Sequence, residues 1–204
     1  MTRAPIDVSR ETRIRLDRFV AEFQRWNMRT NLSADRNSNE LANRHITDSL
    51  QLLELAPPFR RWVDIGTGGG FPGAILAIAT HDDDREIHLV ESNGKKAAFL
   101  RSACLAAGVT PLVHAERAET FIARTPPPDI VSARAVAALD KLLELCEPWL
   151  SGTTLGVFPK GQRAREEVAE AHRRWQFDLE THPSRTAPDA SILLVRNLRP
   201  RSEP

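Results

Sequence analysis

The chain has 204 residues, 41% of them apolar, which is enough to bury the core of one α/β domain with a short helical addition. Its net charge of +1 does not by itself indicate a nucleic-acid binder, and no stretch reaches the roughly 20 apolar residues of a membrane span. The leading residues lack an apolar signal region and Cys104 and Cys146 lack metal-ligand spacing, so we expect a cytoplasmic protein with no membrane contact and no metal.

Two helices are predicted before the first strand. Apolar residues recur at near-helical spacing over 8–26, and a polar link follows over 27–38. A second helix is predicted over 40–55, with a cap near Ser38 or Asn39.

The pattern then changes to alternating strands and helices. Short apolar runs predict strands over 62–65, 87–90, 111–114, 129–132 and 154–158, and helices over 72–80, 95–107, 118–124, 139–150 and 163–175. Two more strands, over 177–181 and 192–195, have only a short link and are expected to form an antiparallel hairpin. We therefore expect an α/β protein with a helical extension over 1–60 and a Rossmann-like domain over 61–204, built on a mostly parallel sheet.

The strongest local signal is a glycine-rich turn after the first predicted strand. It reads Asp64-Ile65-Gly66-Thr67-Gly68-Gly69-Gly70-Phe71-Pro72-Gly73 and leads directly into a helix. Glycine lets the backbone adopt positive φ and approach a ligand closely. Because open α/β sheets bind ligands at this end of their strands, the turn predicts a binding loop. A simple tight turn would need only one or two glycines.

The residues around this turn favour one cofactor class over another. Counted from Gly66, the spacing is G-x-G-x-G, and Phe71 stands where a dinucleotide motif has its last glycine. Pro72 also removes a backbone N–H that a pyrophosphate would use. Asp64 could hold the amino group of S-adenosylmethionine, directly or through water, and Glu91 could accept from the ribose hydroxyls. A nicotinamide dinucleotide would use the same Glu91, so S-adenosylmethionine is favoured but the dinucleotide is not excluded.

Several short motifs follow one another in a characteristic order. They are Trp26-Asn27, Asn31-Leu32-Ser33, Arg44-His45-Ile46-Thr47-Asp48-Ser49-Leu50, the glycine turn with Phe71-Pro72-Gly73, Glu91-Ser92 with Lys95-Lys96 and Phe99-Leu100, Arg117-Ala118-Glu119, Ser132-Ala133-Arg134-Ala135, and Pro159-Lys160-Gly161. Over 23–161 the chain thereby resembles the RsmG (GidB) methyltransferases. The tail over 162–204 is less similar, since it lacks the arginine expected before the last strand.

The resemblance implies a class I S-adenosylmethionine-dependent enzyme that methylates the N7 of a guanine in 16S ribosomal RNA, within a small subunit or its precursor. It implies cofactor contacts at Gly66, Phe71, Ala118, Glu119 and Arg134. Reasoning from the residues adds Asp64, Gly68, Gly70 and Glu91 to this set. Ala118 and Glu119 follow the third strand, where the adenine of such a cofactor usually lies.

The expected chemistry needs no catalytic general base, because guanine N7 already carries an in-plane lone pair. Arg134 could donate to the guanine O6 as well as, or instead of, meeting the cofactor. RNA contacts are predicted at His45, Lys95, Lys96 and Lys160, and each also has a structural interpretation. His45 and Asp48, for example, share one helix face and could make an inter-helix hydrogen bond.

Three other functions stay open. The first is a class I methyltransferase that acts on another RNA, a protein or a small molecule. The second is a nicotinamide-dependent oxidoreductase. The third is a catalytically inactive RNA-binding module, against which the intact Gly66, Gly68, Gly70, Glu91 and Arg134 argue.

Overall fold

A computed structural model describes residues 8–30, 32 and 38–201, except the side chains of 29, 30 and 38–43. The described residues form the helices α1 (Arg10–Thr30), α2 (Ser38–Leu55), α3 (Gly73–Ala79), α4 (Gly94–Ala106), α5 (Ala118–Arg124), α6 (Leu139–Leu150) and α7 (Ala164–Arg174). They also form the strands β1 (Arg61–Ile65), β2 (Glu86–Val90), β3 (Leu112–His114), β4 (Ile130–Ala133), β5 (Leu155–Lys160), β6 (Trp175–Pro183) and β7 (Ser191–Pro200).

The strands make one sheet in the order β3-β2-β1-β4-β5-β7-β6. The first five strands are parallel, while β7 pairs antiparallel with both β5 and β6. The predicted α/β class, parallel sheet and terminal hairpin are therefore confirmed. β1 lies inside the sheet between β2 and β4, and the strand order reverses at this point. Such a switch point leaves a crevice at the carboxyl ends of the strands, where ligands bind.

Two hydrophobic clusters cover the two faces of the sheet. One joins α1, α2, α3 and α4, and the other joins α5, α6, α7 and the terminal hairpin. On the first face, Phe19 and Phe23 of α1 pack edge-on against the Phe71 ring, with centroids 5.9 and 5.4 Å away. The leading helices thus share a core with the glycine turn. The division at residue 60 stays a prediction.

The boundary of α1 differs from its prediction. The helix runs to Thr30, whereas a polar link was expected from residue 27. The segment Asn27-Met28-Arg29-Thr30 contains neither glycine nor proline, and its polar residues weaken a helix by only a few tenths of a kcal/mol each. The end of the predicted link, at 31 and 33–37, lies outside the described residues, as do the side chains proposed to cap α2.

The hairpin strands are longer than predicted, at 9 residues for β6 and 10 for β7. Both strands extend beyond their apolar runs because the added residues pair across the hairpin, as Trp175 does with Pro200 and Gln176 with Arg199. Within the described residues, no helix combines the length and the apolar character that crossing a membrane requires.

Candidate functional site

The glycine turn connects β1 to α3 through a chain of left-handed residues. Gly66, Gly68 and Gly70 have φ of +64°, +57° and +90°, which side chains other than glycine adopt only with strain. The Gly66 N–H donates to Val90 O at 2.8 Å, which ties the turn to the end of β2. A side chain at Gly68 would meet only Gly66 O, at 3.7 Å, so this part of the turn is open to a ligand.

Asp64 holds the far end of the turn from inside the protein. Its Oδ2 accepts from the Gly73 N–H at 3.0 Å, and its Oδ1 accepts from the Ser132 hydroxyl at 2.7 Å. Burial raises the pKa of Asp64 to about 6, although these hydrogen bonds and Arg134 favour the ionised form. The side chain is wholly buried, so it acts as a support for the turn. A contact between Asp64 and the amino group of the cofactor stays a prediction. Because the carboxylate is buried, an indirect contact through an intervening group fits its position better than a direct contact.

Gly73 fits above Asp64 only because it lacks a side chain. A Cβ there would lie 2.3 Å from Leu89 Cδ2 and 2.9 Å from Asp64 Cβ, far inside normal contact. The close approach of α3 to β1 and β2 therefore depends on this glycine, which explains the last glycine of the turn.

Glu91 closes the other side of the turn. It lies directly after β2 and is 7% exposed. Its Oε2 accepts from the Gly68 N–H at 3.0 Å, and its Oε1 accepts from the Asn93 N–H at 2.7 Å. Each carboxylate oxygen has a further lone pair, so the group can still accept from a ligand diol.

Ala118 and Glu119 continue the same edge of the sheet. They open α5 after β3, with Ala118 half-buried and Glu119 exposed. The Glu91 N–H donates to His114 O at 3.0 Å, which joins the ends of β2 and β3. The turn, Glu91 and Ala118 thus follow three adjacent strands, and their contact with a cofactor stays a prediction.

Arg134 lies directly after β4, on the other side of β1. Its guanidinium lies 5.6 Å from the centroid of the Phe71 ring, and its Nη1 lies 2.5 Å from His45 Nδ1. Burial lowers the pKa of Arg134, while the charges of Asp64 and Asp48 oppose this shift. Ala135 follows with a φ of +55°, a strained value for a residue with a side chain. Arg134 therefore joins the glycine turn to α2.

His45 borders this site, because its ring packs 5.0 Å from the Phe71 ring as well as against Arg134. Lys95 is exposed and Lys96 half-buried, both at the start of α4, where the Asn93 side chain accepts from their N–H groups. RNA contacts at these three residues stay predictions.

The sequence predicts Lys160 just after the fifth strand, either in contact with an RNA phosphate or as a solvated loop lysine, and the structure differs. Lys160 belongs to β5 and is buried, and its Nζ donates to Ala137 O at 2.7 Å and lies 2.9 Å from Glu167 Oε2. An ammonium with these two partners is already compensated, so the structure argues against a phosphate contact and supports a structural role.

Two polar pairings were missed. Ser132 lies opposite Asp64 in the β1–β4 register and also accepts from the Trp62 indole N–H at 2.9 Å. A serine inside a buried apolar strand was the available signal. Asp48 accepts from the hydroxyls of Ser184 and Thr186, for which the sequence offers no signal because the partners are 136 and 138 positions away.

Comparisons with known proteins identify the family of this chain. The family described as "rRNA small subunit methyltransferase G" (GidB) matches residues 13–191. The chain belongs to this family. Among its GidB relatives is the "Ribosomal RNA small subunit methyltransferase G" of Rhizobium meliloti (strain 1021), 45% identical over 96% of this chain and 94% of that protein. The protein of the same name from Brucella ovis is 43% identical over 96% and 92%. The predicted family and enzyme class are confirmed.

Solved structures confirm the fold class. The O-methyltransferase from Bacillus cereus in complex with SAH has a TM-score of 0.61 at 16% identity and covers 87% of this GidB chain and 90% of its own. The ribosomal protein L11 methylase from Lactobacillus delbrueckii subsp. bulgaricus has a TM-score of 0.56 at 18% identity, covering 75% and 78%. At these identities the likeness concerns the Rossmann-like fold alone. Among the described residues of this chain, no three His, Cys, Asp or Glu side chains are grouped to hold a metal ion.

Proposed function

We propose that this GidB protein transfers a methyl group from S-adenosylmethionine to the N7 of a guanine in 16S ribosomal RNA, in the cytoplasm. Family membership supports the reaction class and the RNA. The observation that carries the proposal is the row formed by the glycine turn, Glu91 and Ala118 at one edge of the sheet, with Arg134 beside it. This row follows the carboxyl ends of three adjacent strands, and the half-buried Arg134 lies on the other side of β1.

The described residues fit the proposed cofactor. Gly68 leaves space where a side chain would stand, and Glu91 lies beside it with acceptor capacity for a ribose diol. Ala118 and Glu119 would flank the adenine, and Gly66, Gly70 and Phe71 would shape the loop beneath. The cofactor lacks phosphates, so the missing N–H of Pro72 costs nothing, whereas a pyrophosphate would need it.

The reaction requires the protein to orient the two reactants rather than to add or remove a proton. When bound, S-adenosylmethionine supplies a methyl carbon activated by its sulfonium. N7 of guanine offers a lone pair and loses no proton, so we assign no general base. Arg134 holds the base by donating to its O6 and leaves N7 free. Holding two reactants in line can contribute up to about 7–11 kcal/mol to lowering a barrier.

The RNA partner is proposed to be a small ribosomal subunit or its precursor. The net charge of +1 gives little attraction for bare RNA, so a folded or protein-bound substrate suits the chain better. Lys95, at the start of α4 after β2, is an exposed cation that could meet an RNA phosphate at this edge of the sheet.

Labelled cofactor distinguishes this function from its alternatives. The protein is incubated with labelled S-adenosylmethionine and small subunits from cells that lack the gene, and the labelled base is mapped. We expect one N7-methylguanine in 16S ribosomal RNA. Label in a ribosomal protein, in a small molecule or at another base atom would contradict the proposal.

Calorimetry tests the cofactor separately. S-adenosylhomocysteine should bind and NAD should not. Glu91→Ala should weaken this binding at least about tenfold, since it removes a charged hydrogen-bond acceptor. Glu86→Ala, at the opposite end of β2, is the matched control and should bind normally.

A further inference from the structure

A cavity lies on the β5 side of Arg134, and no residue of the glycine turn lines it. It has a volume of about 280 Å³ and is lined by Asp48, Arg134, Lys160, Glu167, Ser184 and Ile192, among others. We call it the Asp48 pocket. Its volume is just below the roughly 300 Å³ at which drug-sized ligand pockets begin, which suits a single planar ring system.

Asp48 is held rigidly in this pocket by the tail of the chain. Its Oδ1 accepts from Thr186 Oγ1 at 2.5 Å and from Ser184 Oγ at 3.2 Å. One helical turn later, Gln51 donates to Pro183 O at 2.8 Å and accepts from the Arg185 N–H at 3.0 Å. The β6–β7 connection therefore fixes both the position of α2 and the orientation of the Asp48 carboxylate.

The other charged groups of the pocket are largely used within the protein. Glu167 Oε2 accepts from the Leu139 N–H at 2.8 Å and lies 2.9 Å from Lys160 Nζ, which also donates to Ala137 O. By contrast, every hydrogen bond to Asp48 within the described residues ends on Oδ1. The pocket thus presents a ligand with one fixed acceptor, Asp48 Oδ2, and with the donors of Arg134.

We propose that Asp48 is the specificity-determining residue that reads the Watson–Crick edge of the target guanine in this pocket, an inference that rests on the proposed function above. Guanine carries the N1–H and 2-amino donors on that edge, beside the O6 acceptor, and an ionised aspartate can only accept. Asp48 takes the donors and Arg134 takes O6. N7 lies on the Hoogsteen edge, on the other side of O6 from N1, so it is left facing the cofactor side of Arg134.

The same arrangement rejects adenine. Adenine has a lone pair at N1, where guanine has a proton, and that lone pair would face the Asp48 carboxylate. Ser184 and Thr186 act as positioning residues, since they hold the carboxylate without touching the base. The tail over 162–204, to which no sequence motif assigns a role, therefore takes part in substrate selection.

Inosine at the methylated position tests the proposal, because it lacks only the 2-amino group and keeps N7 and O6. Small subunits are reconstituted on 16S ribosomal RNA ligated with guanine or inosine at the mapped position. The parent protein should methylate the inosine substrate with a kcat/KM lower by about 10- to 100-fold, the effect of losing a hydrogen bond to a charged group. In Asp48→Ala the guanine substrate should slow, and the two substrates should differ by less than about twofold.

The controls separate this inference from the proposed function. If the parent protein methylates guanine and inosine equally, or if Asp48→Ala keeps the parental ratio, the role of Asp48 is refuted while the function stands. If the parent methylates no guanine of the subunit, the function itself fails. Binding of S-adenosylhomocysteine shows that Asp48→Ala is folded. Should it fail to fold, Thr186→Val must still narrow the gap between the substrates, and an unchanged gap would overturn the proposal.

Discussion

Asp64 gives a test of the site that does not depend on turnover. Its carboxylate is wholly buried, yet it supports the glycine turn through Gly73 and joins β4 through Ser132. Replacing it by asparagine keeps the shape and one acceptor oxygen, and it removes the ionisation. The effect should appear as a change in the pH dependence of stability.

The sign follows from the two pKa values. Unfolded, Asp64 ionises near pH 3.8, whereas burial raises its folded pKa to about 6. Between these values the folded state binds more protons than the unfolded state, so the contribution of Asp64 to stability falls as the pH rises. The full loss is about 3 kcal/mol at 1.36 kcal/mol per pKa unit, of which about 2.5 kcal/mol falls between pH 4.0 and 7.5.

Urea unfolding followed by tryptophan fluorescence measures this effect. The unfolding free energy of Asp64→Asn minus that of the parent should rise by about 2.5 kcal/mol from pH 4.0 to 7.5. Asp83→Asn, on an exposed loop at the opposite end of the sheet, is the matched control and should stay within about 0.5 kcal/mol of the parent. A difference between Asp64→Asn and the parent that stays flat across this range would refute the reasoning.

Three further variants test the glycine turn, the role of Arg134 and the proposed RNA contact of Lys95 and Lys96. Gly73→Ala should lower the unfolding free energy by about 1–3 kcal/mol in urea, because its Cβ would overlap Leu89. Arg134→Ala should reduce kcat in the methylation assay by about 100-fold even at saturating cofactor, as expected for loss of a positioned donor. Lys95→Ala with Lys96→Ala should lower the slope of log affinity against log salt, in filter binding to subunits, by up to about 1.8.

Each of these variants has a control in the chain. Gly94→Ala places its Cβ in open space and should leave stability nearly unchanged, so an equal loss at both glycines would contradict the packing argument. Arg124→Ala removes an exposed arginine paired with Glu116 and should methylate normally. A normal kcat in Arg134→Ala would refute its contact with the guanine and leave only its contact with the cofactor. Lys160→Ala should keep the parental salt slope, and a reduced slope would restore its phosphate contact.

Helices and strands with a local sequence pattern were predicted more accurately than those that depend on distant partners. α5 and α6 begin and end at the predicted residues, since buried apolar positions recur through their whole length. β6 and β7 were predicted too short, because their ends are ordered by pairing with each other rather than by an apolar pattern in the sequence. The extension of α1 past Trp26 was missed for a similar reason. The polar residues there are compatible with a helix, but they lack the apolar periodicity that predicts one.

The candidate site divides in the same way. The sequence placed the glycine turn, Glu91 and Arg134 at one edge of the sheet because each follows a strand directly. Lys160 was misplaced because its partner Glu167 lies on the next helix, and only the packing of that helix shows that the ammonium is compensated.

The sequence by itself determined the order of strands and helices, the position of the glycine turn and the family. Periodicity and short motifs record these features, since they depend on neighbours a few residues apart. Tertiary structure alone decided that Asp64 lies beneath the turn and that Asp48 is held by Ser184 and Thr186, more than 130 positions away. The physical reason is that burial and charge compensation depend on what surrounds a side chain in space. Those surroundings come from elements that are distant in the chain and meet only after folding.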